Sequence, residues 1–427
     1  MVQGASSRTS KQVAMKILYL HQYFCPPAGT TGTRSYEMAR RWAAAGHEVS
    51  IVTSDALMPQ ESRGGYWEDE GFHVIKLSVP YGNRFNFWRR VWAFVQFAVL
   101  SSLVCLRVSK QDVVFATSTP LTIIIPGIVA KLRHRCPLVF EVRDLWPELP
   151  IAIGALNSPI LKGLARGLEL LAYRSSSAVV ALSPGMADGV AQRGVPRDRI
   201  TVVPNSCDIE MFQNDRGQSQ KFLEQHPHLR GGPLITYLGA IGPINGLDYF
   251  VEMAAAAREV APEMRFLLVG QGKAQGAVIE KAEKRGVLGA NFWHLAKVPK
   301  TEAVGIFQAS TLTCSLFIDL PEMRNNSANK FFDGLATGRP VAINYLGWHA
   351  DLLKESGAGL LLPPGDPETG ARLLAEFVVD AQRVERCGQA ASKLAAERFP
   401  RDRLAREALD VILGAVGRSS RASSPTA

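Results

Sequence analysis

The pattern that most constrains this chain is an alternation of short apolar runs with helical segments, which stops and begins again near Pro233. In the first half, residues 16–21, 48–53, 113–116, 138–142, 178–182 and 200–203 read as strands, with amphipathic stretches between them. In the second half, residues 234–238, 265–269, 312–317 and 340–344 do so, with helices at 247–260, from Ala274, at 329–337 and at 368–380. Alternation of this kind predicts parallel sheets covered by helices on both faces. The expected fold class is therefore α/β, with two Rossmann-like, doubly wound domains facing a cleft at the carboxyl ends of their strands. The expected domains are 15–215 and 230–400, joined around the polar segment 213–232, with 401–416 packing back on the first. Residues 1–12 and 417–427 are polar and are expected to be disordered.

Cysteine usage and charge narrow the setting. The six cysteines are scattered and form no C-x-x-C pair, against a disulfide framework or a structural zinc site and in favour of a reducing compartment. Residues 1–11 lack the apolar run of a secretory signal, so a cytoplasmic protein is expected. Of the net charge of +9, a surplus of seven falls in residues 1–228. Residues 81–140 supply all of it, with eight basic residues, Arg84, Arg89 and Arg90 among them, and one acid, Asp112. Trp88, Trp92 and several Phe and Tyr share the stretch, a composition suited to anionic lipid headgroups. Residues 91–108 are long enough for a short membrane span, but Gln96, Ser101 and Ser102 interrupt them and a span would cut the first domain in two. A helix lying on the membrane is the better expectation. The plainer alternative is an ordinary core helix with solvated arginines at its ends.

Four clusters sit where strands end. Gly29, Thr30, Thr31 and Gly32 follow the first strand and open a helix, whose exposed N–H groups suit a phosphate or a sugar hydroxyl. After the strand 138–142, Arg143 suits phosphate charge, Asp144 sugar hydroxyls and Trp146 the face of a sugar ring. Their neighbour Glu141 also ends that strand. The structural alternative is a local Arg143–Asp144 pair with Trp146 packed inside. In the second half, Gly239, Gly242 and Gly270 mark two turns open enough for a diphosphate to approach the backbone. The strongest cluster is Arg324, Asn325, Asn326, Ser327, Asn329, Lys330 and Asp333, a polar loop running into a helix. There the helix N-terminus, Lys330 and Arg324 would neutralise a leaving diphosphate, and Asp333 would accept vicinal ribose hydroxyls. The alternative is an i,i+3 surface pair of Lys330 with Asp333.

Taken together, these residues resemble glycosyltransferase family 4, retaining enzymes of GT-B fold, and within it the bacterial surface-polysaccharide branch that includes N-acetyl-L-fucosamine transferases. The resemblance runs from about residue 16 to 401. It rests on His21-Gln22-Tyr23-Phe24, Phe140-Glu141-Val142-Arg143-Asp144-Leu145-Trp146-Pro147, Val203-Pro204-Asn205-Ser206-Cys207-Asp208 and Asn329-Lys330-Phe331-Phe332-Asp333. It implies a UDP-sugar donor, no cofactor and no bound metal, and a lipid-linked glycan acceptor with Asn205 near it. The family's Glu-x7-Glu pair falls on Asn325 and Asp333, and its usual Arg and Lys on the diphosphate read Ala240 and Asn245. A peripheral site on the inner face of the bacterial plasma membrane is expected, with no nucleic-acid partner. Two other classes stay open, a nucleotide-sugar epimerase of the same architecture and a catalytically silent sugar-nucleotide-binding protein.

Overall fold

A computed structural model describes residues 14–29, 32–58, 65–82, 85–144, 146–213 and 217–423. Fourteen strands among them fall into two sheets. The first sheet holds β1 (Lys16–Leu20), β2 (Glu48–Ser54), β3 (Gly65–Asp69), β4 (Phe72–Leu77), β5 (Val113–Thr117), β6 (Leu138–Val142), β7 (Ala178–Ala181) and β8 (Ile200–Val202). Their order is β3-β4-β2-β1-β5-β6-β7-β8, all parallel except β3, which runs antiparallel to β4. The second sheet holds β9 (Leu234–Leu238), β10 (Arg265–Val269), β11 (Phe292–Leu295), β12 (Leu312–Ser315), β13 (Val341–Ile343) and β14 (Gly359–Leu361). Its order is β11-β10-β9-β12-β13-β14, parallel throughout.

The central strands are buried on both faces, as parallel sheets under helices must be. In each sheet the order reverses beside its first strand, at β1 and at β9, which opens a crevice at the carboxyl ends. The two crevices face each other. The chain crosses between the domains twice, and the crossings are stitched together: Cys207 N donates to Phe399 O at 2.9 Å.

The last helix, Arg401–Ser423, returns to the first domain. Its Ala405, Ala408, Ile412 and Ala415 are buried, and the Trp42 indole donates to Ala405 O at 2.9 Å. It runs past Gly417 to Ser423, where disorder was expected from the Ser and Arg content. Residues 1–12 and 424–427 lie outside the described residues. The joining segment is also more ordered than its polarity implies. Its helix Gln218–Gln225 buries Phe222 against the second domain.

The apolar stretch 91–108 forms most of the helix Phe87–Arg107 and ends on its C-cap Val108; the Asn86 side chain caps the start, accepting from Arg89 N at 2.9 Å. Among the described residues it is the one helix long and apolar enough to cross a membrane. Its inner face, with Ala93, Phe97, Ser101 and Cys105, is buried against the first sheet. Its outer face exposes Trp88, Trp92, Val95, Val99, Leu103 and Leu106, which recur at helical spacing along one stripe.

Candidate active site

At the end of β6, charge is spent internally. Arg34 opens the first helix, Arg34–Ala44, with only 2% of its side chain exposed. Its guanidinium donates to Glu141 Oε1 at 2.9 Å, to Pro204 O at 2.6 Å and to Val203 O at 2.9 Å. Thr117 donates to the other Glu141 oxygen at 2.8 Å. The pair is fully hydrogen-bonded, the condition under which a buried pair is tolerated. Glu141 therefore belongs to the core and does not face the cleft, because a buried guanidinium below the strand end claims it.

Two residues on, Arg143 donates to His21 Nε2 at 3.3 Å, and His21 Nδ1 lies 2.7 Å from Ser35 Oγ. Burial first, and then Arg143, hold the His21 imidazole well below its ordinary pKa. The ring is thus neutral and donates from Nδ1. Arg143, expected at phosphate charge, goes instead to the histidine and does not line the cleft; nor does it form the alternative ion pair with Asp144. Asp144 does line it, and accepts from Thr119 at 3.2 Å. Burial pushes its carboxyl up, against the pull of Arg143 and Thr119. Trp146, expected beneath a sugar ring, packs instead on the apolar cluster under the first sheet.

The cleft encloses about 1400 Å³ between the domains. Its far wall is made by the turns after β9 and β10. Gly270 has φ +151°, and a Cβ there would fall 1.9 Å from Gly239 O, so the two turns interlock only through glycine. Gly239 and Gly270 line the cavity; Gly242 does not, and donates from its backbone to Asn245 Oδ1 at 3.0 Å. That bond also explains why Asn245 supplies nothing to the cavity.

The helix Asn329–Ala336 points its start at these turns. The Lys330 amine donates to the Tyr237 hydroxyl at 2.9 Å, and that hydroxyl donates onward to Ala240 O at 2.8 Å. The rings of Tyr237 and Phe317 lie 4.8 and 4.5 Å from it. Among the described residues no carboxylate is paired with it, and burial alone pulls its pKa down to about 7. Asp333, expected at the ribose, lines the cavity; it makes no i,i+3 pair with Lys330 and lies 3.0 Å from Lys300. Lys300 also binds Asp208, which binds Arg401. Burial, with Asp208 nearby, pushes the Asp333 carboxyl up against the pull of Lys300, while two cations hold Asp208 far down.

The loop before that helix docks across the cleft. Asn205 donates from its backbone to Ser327 Oγ at 3.2 Å and from its side chain to Ser327 O at 2.5 Å. Ser183 donates to Asn325 O at 2.6 Å. Asn325, expected at the donor sugar, packs its side chain on Gly185 of the first domain and stays outside the cavity lining. Arg324, expected at the diphosphate, is exposed in the short turn Pro321–Asn325 and also stays outside it. Asn326 and Asn329 line the cavity, and Asn329 reaches Gly32 on the other wall. Gly29 lines it too, while Thr30 and Thr31 lie outside the described residues. Among the described residues Asn205 Oδ1 and Ser206 Oγ are buried there without a protein partner, as atoms awaiting a ligand would be. Sequence reasoning passed over Arg34, Asp208, Tyr237, Lys300 and Arg401. The conspicuous signal among them was Asp208, at the end of the Pro-Asn-Ser-Cys-Asp run.

Residues 29–206 match the family model described as a glycosyl transferase 4-like domain, and residues 232–380 that of glycosyl transferases group 1. A protein of Escherichia coli K12 named as the colanic acid biosynthesis glycosyl transferase WcaI is 26% identical over 300 residues, covering 66% of this chain and 72% of that one. A D-inositol 3-phosphate glycosyltransferase of Salinispora tropica is 24% identical over 297 residues, 67% of this chain and 60% of that one. Among solved structures, Anabaena HepE in complex with UDP and glucose superposes with a TM-score of 0.69 at 16% identity, over 94% of this chain and 100% of that one. WaaG, a glycosyltransferase involved in lipopolysaccharide biosynthesis, gives 0.69 at 15% identity, over 93% and 100%. Likeness at that level speaks for the fold.

Proposed function

This chain belongs to the family 4 type of glycosyltransferases, of GT-B fold, and we propose that it moves a sugar from a UDP-sugar to a lipid-linked glycan with retention of anomeric configuration. The donor sugar is read as an N-acetylated deoxyhexosamine and the product as a surface polysaccharide. The observation that carries this reading is the state of Lys330, a half-buried amine on the cavity wall beside two glycine turns, with aromatic rings around it and no carboxylate paired with it among the described residues. A leaving diphosphate completes such a site: it supplies the missing counter-charge, and the ammonium stabilises the charge that grows as the glycosidic bond breaks. The turns of Gly239 and Gly270 leave room for the phosphates, and Asp333 takes the ribose hydroxyls. Asp144, on the facing wall, receives the acceptor, whose proton passes to the departing phosphate. In this scheme the charge work falls to Lys330 and not to a metal. Calorimetry on the full chain should show UDP binding that persists in EDTA. Binding lost in EDTA and restored by manganese would refute the scheme.

The acceptor part of the reading draws on the outer stripe of the helix Phe87–Arg107, where Trp88 and Trp92 are 69% and 66% exposed. A helix buried on one face and apolar on the other, with Arg89 and Arg107 beside it, suits a peripheral position on an anionic cytoplasmic leaflet. Co-sedimentation with anionic liposomes should fall when Arg84, Arg89 and Arg90 become Glu. Equal binding to neutral and anionic liposomes, unchanged by the triple substitution, would remove the electrostatic part; no binding to either would favour a soluble acceptor.

A further inference from the structure

The residue this reading leaves unused is Lys300. It opens the helix Lys300–Ala309 of the second domain, and its side chain is only 16% exposed. It binds Asp208 and lies 3.0 Å from Asp333. Asp208 stands where the chain passes from the first domain to the second, and Arg401, its other partner, where the chain returns. The crossing is fixed locally as well, with Cys207 Sγ donating to Phe332 O at 3.2 Å. Two cations and two anions thus form a neutral cluster on the joint between the domains. Three of the four, Lys300, Asp333 and Arg401, also line the cavity.

A carboxylate offers about four lone-pair directions. Lys300 occupies one side of Asp333, at Oδ1, which leaves the rest for a pair of hydroxyls. The charged and titratable groups facing Asp333 are Lys300 from its helix, Asp208 and Cys207 from the outward crossing, and Arg401 from the return. Of the two cations, Lys300 lies in contact and is the stronger influence. Without it, burial and the Asp208 charge would face only the more distant Arg401, and Asp333 would take up a proton more readily.

We infer that Lys300 is a positioning residue for donor binding, one that orients the Asp333 carboxylate toward the ribose and anchors it to the Asp208–Arg401 joint. The inference rests on the reading of Asp333 as the ribose acceptor. Its test is the binding of UDP and of uridine to the full chain between pH 6 and 8, in wild type, Lys300→Met, Asp333→Asn and the double variant. Lys300→Met should weaken both ligands by a similar factor, about tenfold at pH 6, with the loss shrinking as pH rises and Asp333 ionises. The double variant should bind no worse than Asp333→Asn, because Lys300 acts through that carboxylate. Lys300→Gln keeps a donor to both acids without the charge; it should show the same pH trend in weaker form, and it serves if the methionine variant does not fold. Loss of UDP binding with uridine unaffected would place Lys300 on the diphosphate and overturn the inference, as would additive losses or a pH-independent deficit. Wild type that binds neither UDP nor uridine is a separate outcome, since there the UDP-sugar reading itself falls and this inference with it.

Discussion

The two walls of the cleft handle buried charge in opposite ways. On the first-domain side, Arg34 and Glu141 satisfy each other so fully that nothing is left for a ligand. On the second-domain side, Lys330 is half-buried in the cleft wall and its polar partner is a neutral phenol. Both lie near strand ends, and both break the rule that charges stay in water. The difference is that one arrangement is finished and the other lacks an anion. A finished pair holds the fold together; an unfinished one costs stability until a substrate arrives.

The contrast is tested hardest by removing half of the finished pair. Glu141→Gln should cost about 3–5 kcal/mol of stability in urea unfolding, since it leaves the Arg34 charge uncompensated. The folded fraction should keep its turnover. A variant that is stable but slow would mean that Glu141 takes part in the chemistry and that the two walls are not so different. Lys330→Ala should behave the other way, with turnover down by about 10²–10³ and no loss of stability. Full activity in that variant would reduce Lys330 to a packing residue.

A third expectation concerns pH. The lowered Lys330 pKa, about 7 in place of 10.5, means that the folded chain binds fewer protons than the unfolded one between those values. This group's contribution to stability therefore increases as pH rises through that window, and its cost is greatest below pH 7. UDP needs the ammonium form, so binding should take up a proton and weaken with rising pH above about 7, by at most about tenfold per unit. Calorimetry in buffers of different ionisation enthalpy measures that uptake. It should vanish in Lys330→Met, which separates it from titration of the phosphate itself.

How far the sequence could be read depended on the range of the interactions. The two parallel sheets were legible because each strand is a local apolar run, and the helix Asn329–Ala336 because a polar loop precedes it and Gly338 and Pro340 follow it. The hairpin β3–β4 was missed: β3 is polar and half exposed, and in β4 the adjacent Val74 and Ile75 mask in the sequence the alternation that its burial shows. Arg34 was hidden for another reason, because its partner Glu141 lies 107 residues away. Lys300 was hidden likewise, following Pro299 with no glycine turn beside it, and reaching Asp208 across 92 residues. The spacing of Asn325 from Asp333 matched the family pattern, yet spacing carries no information about the turn that swings Asn325 toward Gly185.

The returning helix Arg401–Ser423 sets the order in which this molecule can be completed. A ribosome finishes all of β1 to β8 before it makes Ala405, Ala408 or Ile412, the residues that cover the Trp42 side of the first sheet. Until then that apolar surface stays open to water and to other nascent chains, while the second domain can close on local contacts as it emerges. The half of the protein synthesised first is thus the half finished last. One late step, the docking of a single helix, closes that side of its core.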